Sequence, residues 1–289
     1  MANLALRPKR SLSLFRRIAI GTWRQPRDCQ VYGSLRVRMD EALRYIDAYR
    51  EATGRRLTIT HMMAKACGAV FQAMPDANAI LRFHRPYLRD EIAIFFQVAL
   101  RDPDTGELDL SGITVHSPEQ KSLGDILDEF ERHVDKVRKR QDRDLEGTRR
   151  SMRVIPLWLL GKVLTALSFL LYTLNLKLPG VARDAFGSAM VTNVGALGLE
   201  EAFPPLVPYS RCPLVVALGA VQDEPVVEGG ELRVGKVMRI CATMDHRLLD
   251  GAHAATMATV LRSWFEDPWT HFGPPESAAI SRAGETFPG

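Results

Sequence analysis

The chain has 289 residues, 46% of them hydrophobic and 25% charged, with a formal net charge of +4. That suffices for a buried core in one large domain or two small ones and sets the chain among soluble globular proteins. A positive charge so mild and dispersed does not call for nucleic acid, though an acidic carrier or a phosphate-bearing thiol would suit it. The four cysteines, Cys29, Cys67, Cys212 and Cys241, form no Cys-x-x-Cys pair and have no histidine at metal-ligand spacing. They imply a reducing, cytoplasmic setting and no metal.

Residues 1–12 read as a flexible arm. The stretch from Leu14 to Ile20 is apolar but interrupted by Arg16 and Arg17, so no signal-peptide core forms. Val31 to Arg38 alternates as a strand does. Asp40 is placed to cap a helix carrying Ala42, Leu43, Ile46 and Tyr49 on one side and stopping at Gly54. A strand is expected over Leu57 to Ile59. Thr60 then starts a helix with Met63, Cys67, Val70, Phe71 and Met74 on its buried stripe, ended by Pro75. Glu91 to Leu100 is too apolar to be half exposed, and Leu108 to Val115 returns after a turn at 102–106 as a second strand. Leu123, Ile126, Leu127, Phe130, Val134 and Val137 mark a long amphipathic helix running to about Arg143.

Ser151 to Val181 is far more apolar than its surroundings. Fourteen uncharged residues separate Lys162 from Lys177, too few for a bilayer-spanning helix, which needs about 20. Three readings stay open: an extra core helix, a helix lying at a membrane surface, or the wall of a hydrophobic acyl pocket. Gly229-Gly230 reads as a hairpin turn into the strand Val237 to Met244. Met257, Val260, Leu261 and Trp264 then stand at i, i+3, i+4 and i+7 of an amphipathic helix, which Asp267-Pro268 ends. The tail 269–289 is expected to be disordered.

His246 to Gly251 therefore lies in a strand-to-helix connection. Histidine titrates near 6.5, so a neutral imidazole there can take a proton from a thiol or hydroxyl. Asp250 is an orienter or a structural charge, and Gly251 can adopt backbone angles closed to other residues. From spacing alone, a solvated loop explains these residues equally well.

The sequence Asp245-His-Arg-Leu-Leu-Asp-Gly251 resembles the Asp-His-Arg-x-x-Asp-Gly motif of the dihydrolipoyl acyltransferases, the core subunits of the 2-oxo acid dehydrogenase complexes. Chloramphenicol acetyltransferase is a relative with His-x-x-x-Asp-Gly. A Leu-Glu-Asp-Pro-like ending, Trp264 to Pro268, follows at the expected distance. Lys121-Ser122-Leu123 resembles the start of a family helix, and Thr192-Asn193-Val194-Gly195 stands for Ser-Asn-Leu-Gly. The likeness spans roughly Leu14 to Pro268, a catalytic domain over 13–268 with an apolar insertion at about 152–181.

What the resemblance implies is an α/β two-layer sandwich with a mixed sheet, like chloramphenicol acetyltransferase. It implies acyl transfer from a thioester to a thiol or other nucleophile, with His246 as general base. Thr192 matches a serine that donates to the oxyanion, with an ordinary strand threonine as the alternative. Arg16 lies closest to the family arginine that pairs with the motif aspartate, here Asp250, with Arg17 adjacent. The family's active site forms between subunits of a trimer, so a homotrimer is implied. No lipoyl domain and no Asp-Lys-Ala lipoylation site stand in this sequence. The acyl donor is therefore expected to be coenzyme A, with an acyl carrier or a lipoyl domain on another chain as alternatives. A trimeric scaffold without catalysis is the competing function, and Leu157 to Leu178 is the only ground for a membrane-surface partner.

Overall fold

Residues 222–245 fold back on themselves at Gly229 and Gly230, whose φ angles of 59° and 86° are open to residues without a Cβ. The hairpin joins β9 (Gln222–Glu228) to β10 (Glu231–Asp245), a fifteen-residue strand around which the main sheet is built. In the computed structural model, residues 3–8, 29–101, 108–138, 157–179, 181 and 184–275 are described. β10 pairs antiparallel with β2 (Gln30–Arg38) on one side and with β8 (Leu214–Leu218) and β9 on the other. Beyond β8 come β7 (Ala189–Asn193) and β5 (Ala93–Arg101) in parallel, then β6 (Leu108–His116) antiparallel to β5. The sheet is therefore mixed and seven-stranded. β8 is wholly buried because it is a central strand, and its sequence Leu-Val-Val-Ala-Leu has no polar face to turn to water.

Three helices cover one face. α1 (Asp40–Thr53) contributes Tyr45 and Ile46, α2 (Ile59–Ala73) Met62, Met63 and Phe71, and α5 (Gly251–Glu266) Leu261 and Phe265; all are buried with Phe96, Val191, Val216 and Ile240 of the sheet. α3 (Leu123–Arg138) adds Ile126, Leu127 and Phe130 to the same core. Layer and sheet agree with the expected α/β architecture.

Several local expectations shift. Met39 rather than Asp40 is the N-cap of α1, although Gly54 ends it in the left-handed conformation at φ 68°. No strand forms at Leu57 to Ile59; Thr58 is the cap of α2, and Ile59 is already helical because a capping box closes there. A second sheet was not foreseen: β3 (Ala79–Arg82) and β4 (Arg85–Arg89) form a tight hairpin, and β1 (Leu6–Pro8) adds to its edge. This corrects the expectation of a loose arm for residues 3–8. Leu4 is buried, Asn3 donates to the Leu171 carbonyl, and Asn175 bonds both backbone groups of Leu4, so polar groups and an apolar side chain together tie the strand down. At the other end α6 (Pro268–Phe272) corrects the tail: Trp269 and Phe272 pack on Tyr45 at centroid distances of 5.1 and 5.7 Å.

The apolar segment divides. α4 (Leu157–Ser168) continues into a π-helical turn, Phe169–Thr173, whose Leu171 and Tyr172 are buried with Leu4 and Ile80 against the small sheet. That end is core. No helix among the described residues is long and apolar enough to cross a membrane.

His61 seals the α2 cap. Its Nδ1 accepts from the Thr58 N–H at 3.2 Å, and its ring meets Phe130 edge-on at 4.7 Å. Burial, with Arg55 and Arg56 nearby, lowers its pKa to about 4. The unfolded chain, with a histidine near 6.5, takes up this proton first, so stability is present above about pH 6.5 and is lost as pH falls toward 4. Thermal midpoints of the wild type should therefore decline more steeply over that window than those of His61→Gln, which keeps a capping side chain without a titrating ring. Parallel curves would contradict this.

Candidate active site

The end of β10 is held by its neighbours before the chain turns. The Asp245 N–H donates to the Pro213 carbonyl and the His246 N–H to the Cys29 carbonyl, both at 2.8 Å. Asp245 is buried and takes Arg247 in a fork, Nη2 to Oδ2 at 2.6 Å and Nε to Oδ1 at 2.9 Å, while the Arg247 N–H and the Cys29 thiol add to Oδ1. These contacts lock the backbone on both sides of His246. The Asp245-Arg247 clamp was not anticipated as a site element; the charged pair flanking the histidine was the available signal.

His246 itself is half-buried, and its Nδ1 lies 2.7 Å from the Leu249 carbonyl. A carbonyl can only accept, so Nδ1 carries the proton and Nε2 presents a lone pair. The turn thus fixes both the ring and its tautomer. The result is an imidazole held in one orientation and one tautomer.

Asp250 caps α5. Its Oδ1 accepts from the N–H groups of Ala252 and His253, at 3.1 and 3.2 Å, and lies 2.7 Å from His253 Nδ1. The structural-charge reading of Asp250 therefore has a local basis in the helix cap. Arg16 lies outside the described residues, as does Arg17. Gly251 does not use its conformational freedom: it opens α5 with no positive φ, and a Cβ there would meet nothing within 4 Å.

Thr192 sits near the end of β7. Asn193 shapes the next turn by accepting from the Ala196 N–H at 3.0 Å and donating to Thr60 at 3.3 Å. Gly195 is required by packing, because a Cβ would lie 2.5 Å from the Gly219 carbonyl oxygen. The strand registers then decide a distance. Thr192 is level with Ala217 on β8, and Ala217 with Cys241 on β10. His246 is five residues further along, so at about 3.3 Å per residue and about 4.8 Å per strand it stands about 19 Å from Thr192. One chain does not bring the two together.

A cavity of about 420 Å³ opens between α4, the 206–212 loop and the Asp245-Arg247 clamp. Leu164, Thr165, Leu206, Arg211, Asp245 and Arg247 are among its lining. Among the described residues no three His, Cys, Asp or Glu converge to hold a metal ion.

Residues 184–272 match the family model for the 2-oxoacid dehydrogenases acyltransferase catalytic domain. Over this stretch the chain is similar to the 2-oxoacid dehydrogenase acyltransferases. Over 220 residues, 75% of this chain and 44% of the relative, it is 24% identical to the dihydrolipoyllysine-residue acetyltransferase component of the acetoin cleaving system of Bacillus subtilis. It thus spans less than half of that acyltransferase. A solved dihydrolipoamide acetyltransferase of Azotobacter vinelandii, in which a serine, a histidine and an asparagine were investigated for their catalytic roles, superposes with a TM-score of 0.61 at 17% identity, covering 91% of this chain and 93% of its own. The cubic core of a pyruvate dehydrogenase multienzyme complex gives the same TM-score, identity and coverage. At these identities the structures establish the acyltransferase fold. The matched family region contains Thr192, His246, Asp250 and Gly251, while Arg16 falls outside it.

Loss of the cap is measurable independently of chemistry. Asp250→Ala should cost about 1 kcal/mol of stability and Asp250→Asn much less, since asparagine caps nearly as well. Denaturant titration of the two variants checks this, and equal losses would reassign Asp250 from cap to charge partner.

Proposed function

We propose that the protein is an acyltransferase that moves an acyl group from a coenzyme A thioester to a thiol or another nucleophile, at a site completed by a second copy of the chain in a homotrimer. The observation that carries the reading is the Nδ1 contact to Leu249, which leaves His246 Nε2 as a positioned base. Nε2 takes the proton of the acceptor thiol, and the sulfur attacks the thioester carbonyl carbon. The carbonyl electrons move to oxygen, where the Thr192 hydroxyl of the neighbouring copy donates a hydrogen bond. Collapse of this intermediate breaks the bond to the coenzyme A sulfur, which regains the proton from the imidazolium. The oxyanion contact stabilises the charge that develops on the carbonyl oxygen.

The 19 Å separation supports a site between copies, as does the surface beside Thr192. Leu197, Leu199 and Phe203 of the following loop are exposed, and Tyr32 of β2 meets Phe203 edge-on at 5.7 Å. An apolar cluster of that kind is the usual mark of a protein partner. Four buried cysteines, none in a disulfide, fit a cytoplasmic enzyme. An acyl carrier or a lipoyl domain on another chain would serve as donor by the same chemistry.

Complementation is the test. His246→Ala should lower turnover by about 10²–10⁴-fold. Thr192→Val should lower kcat by about 10²-fold or more with little change in KM, because the hydroxyl acts on the oxyanion. Coexpressed, the two inactive variants should regain on the order of a quarter of wild-type activity, since each mixed trimer rebuilds one complete site. Absence of recovery in hybrids shown to be mixed would place both groups in one chain and refute the shared site. Wild-type turnover by His246→Ala would refute the enzyme.

A further inference from the structure

Arg211 carries a charge that the acyl-transfer reading does not use. It follows the turn Pro208–Ser210 with a left-handed φ of 56°, and it lines the cavity beside the Asp245-Arg247 clamp. Its Nε donates to the buried Ser168 hydroxyl at the end of α4, at 3.0 Å. Among the described residues no carboxylate pairs with it. Burial, and then the neighbouring Arg247, pull its pKa down, the mark of a cation without a counter-charge. It nonetheless stays protonated at neutral pH. Arg247 lines the same cavity, but its charge is matched by the fork to Asp245. The balance over these three groups is therefore one uncompensated positive charge.

Part of the same lining is hydrocarbon. α4 supplies Leu164, and Leu206 faces the same space. Tyr209 adds a phenol that burial keeps protonated, hence a hydrogen-bond donor. About 420 Å³ is within the range of small-molecule pockets. We propose that this cavity is a binding site for an aliphatic carboxylate, its acid group on the Nη donors of Arg211 and its chain along α4. A planar monoanion fits better than a phosphate dianion: the guanidinium fork matches a carboxylate, and a second negative charge would face Asp245. The site adjoins the clamp that holds His246 but does not depend on the acyl-transfer reading. Two sources share this chemistry, a carboxylate at the far end of a substrate acyl group and a free organic acid.

Calorimetric titration of the full-length protein with sodium octanoate tests the site. Saturable binding of one octanoate per chain is expected, weakened at least about tenfold in Arg211→Gln and in Leu164→Trp, which fills the apolar side. Octan-1-ol, without the charge, should bind at least about tenfold more weakly than octanoate. Arg211→Gln removes an unpaired charge, so its thermal midpoint without ligand should be no lower than the wild type's, and octanoate should raise the wild-type midpoint only. His246→Ala should bind octanoate as the wild type does, which separates this test from that of catalysis. Octanoate competing with the thioester would identify the acyl group as the source; inhibition or activation independent of thioester concentration would identify a free acid. Undetectable binding at millimolar octanoate, or equal binding by wild type and Arg211→Gln, would overturn the proposal.

Discussion

The ladder of β10 is the constraint on which the rest depends. It hydrogen-bonds to β2 along Val237–Asp245, to β8 along Ile240–Met244 and to β9 along Glu231–Val237. A strand held so continuously cannot slip by one residue without turning its apolar set to the wrong face. Its last residue, Asp245, and the first of the turn, His246, are therefore delivered to a fixed point. The bonds from these two backbone amides to Pro213 and Cys29 extend that certainty past the end of the sheet.

The turn converts a fixed position into a chemical state. Leu249 offers His246 only a carbonyl, and one acceptor suffices to choose the tautomer. The Asp245-Arg247 fork spends its charge on holding the loop, and Asp250 spends its oxygen on the helix N-terminus. The same ladder that positions His246 keeps Thr192 five residues away along the sheet and two strands across. The proposed reaction needs both groups and is therefore proposed to run between copies; the loop after Thr192 exposes Leu197, Leu199 and Phe203.

The apolar segment shows how one composition serves two purposes. Its π-helical end packs with Leu4 and Ile80, so that the first residues and the small sheet are fastened to the domain. Arg89, buried and paired with Asp184 at 3.1 Å, fastens the same sheet to the segment leading into β7. The preceding helix α4 instead lines a cavity together with Arg211, which has no carboxylate partner among the described residues, and the clamp.

Much was legible in the sequence because it is written in local rules. Periodicity located α1, α2, α3 and α5, glycines marked the turn before β10 and the end of α1, and Asp267-Pro268 closed α5, since each follows from the conformational limits of a few neighbouring residues. The motif singled out His246, Asp250 and Thr192, because residue type and spacing survive without coordinates. Local patterns failed where a distant partner decides. Residues 3–8 look like an arm until Asn175 and β4 bond them, and Leu157 to Leu178 could be core, surface or pocket until the surrounding elements are placed. Asp245 and Arg247 look like ordinary surface charges until burial joins them. Arg211 carries no pattern at all. Its meaning comes from α4, 43 residues earlier, supplying a hydroxyl and an apolar wall but no carboxylate. The sequence by itself determined the elements and the reactive residue types. Which of those residues meet, and which are held apart, was decided only by sheet register and long-range packing, because those energies arise between segments far apart in the chain.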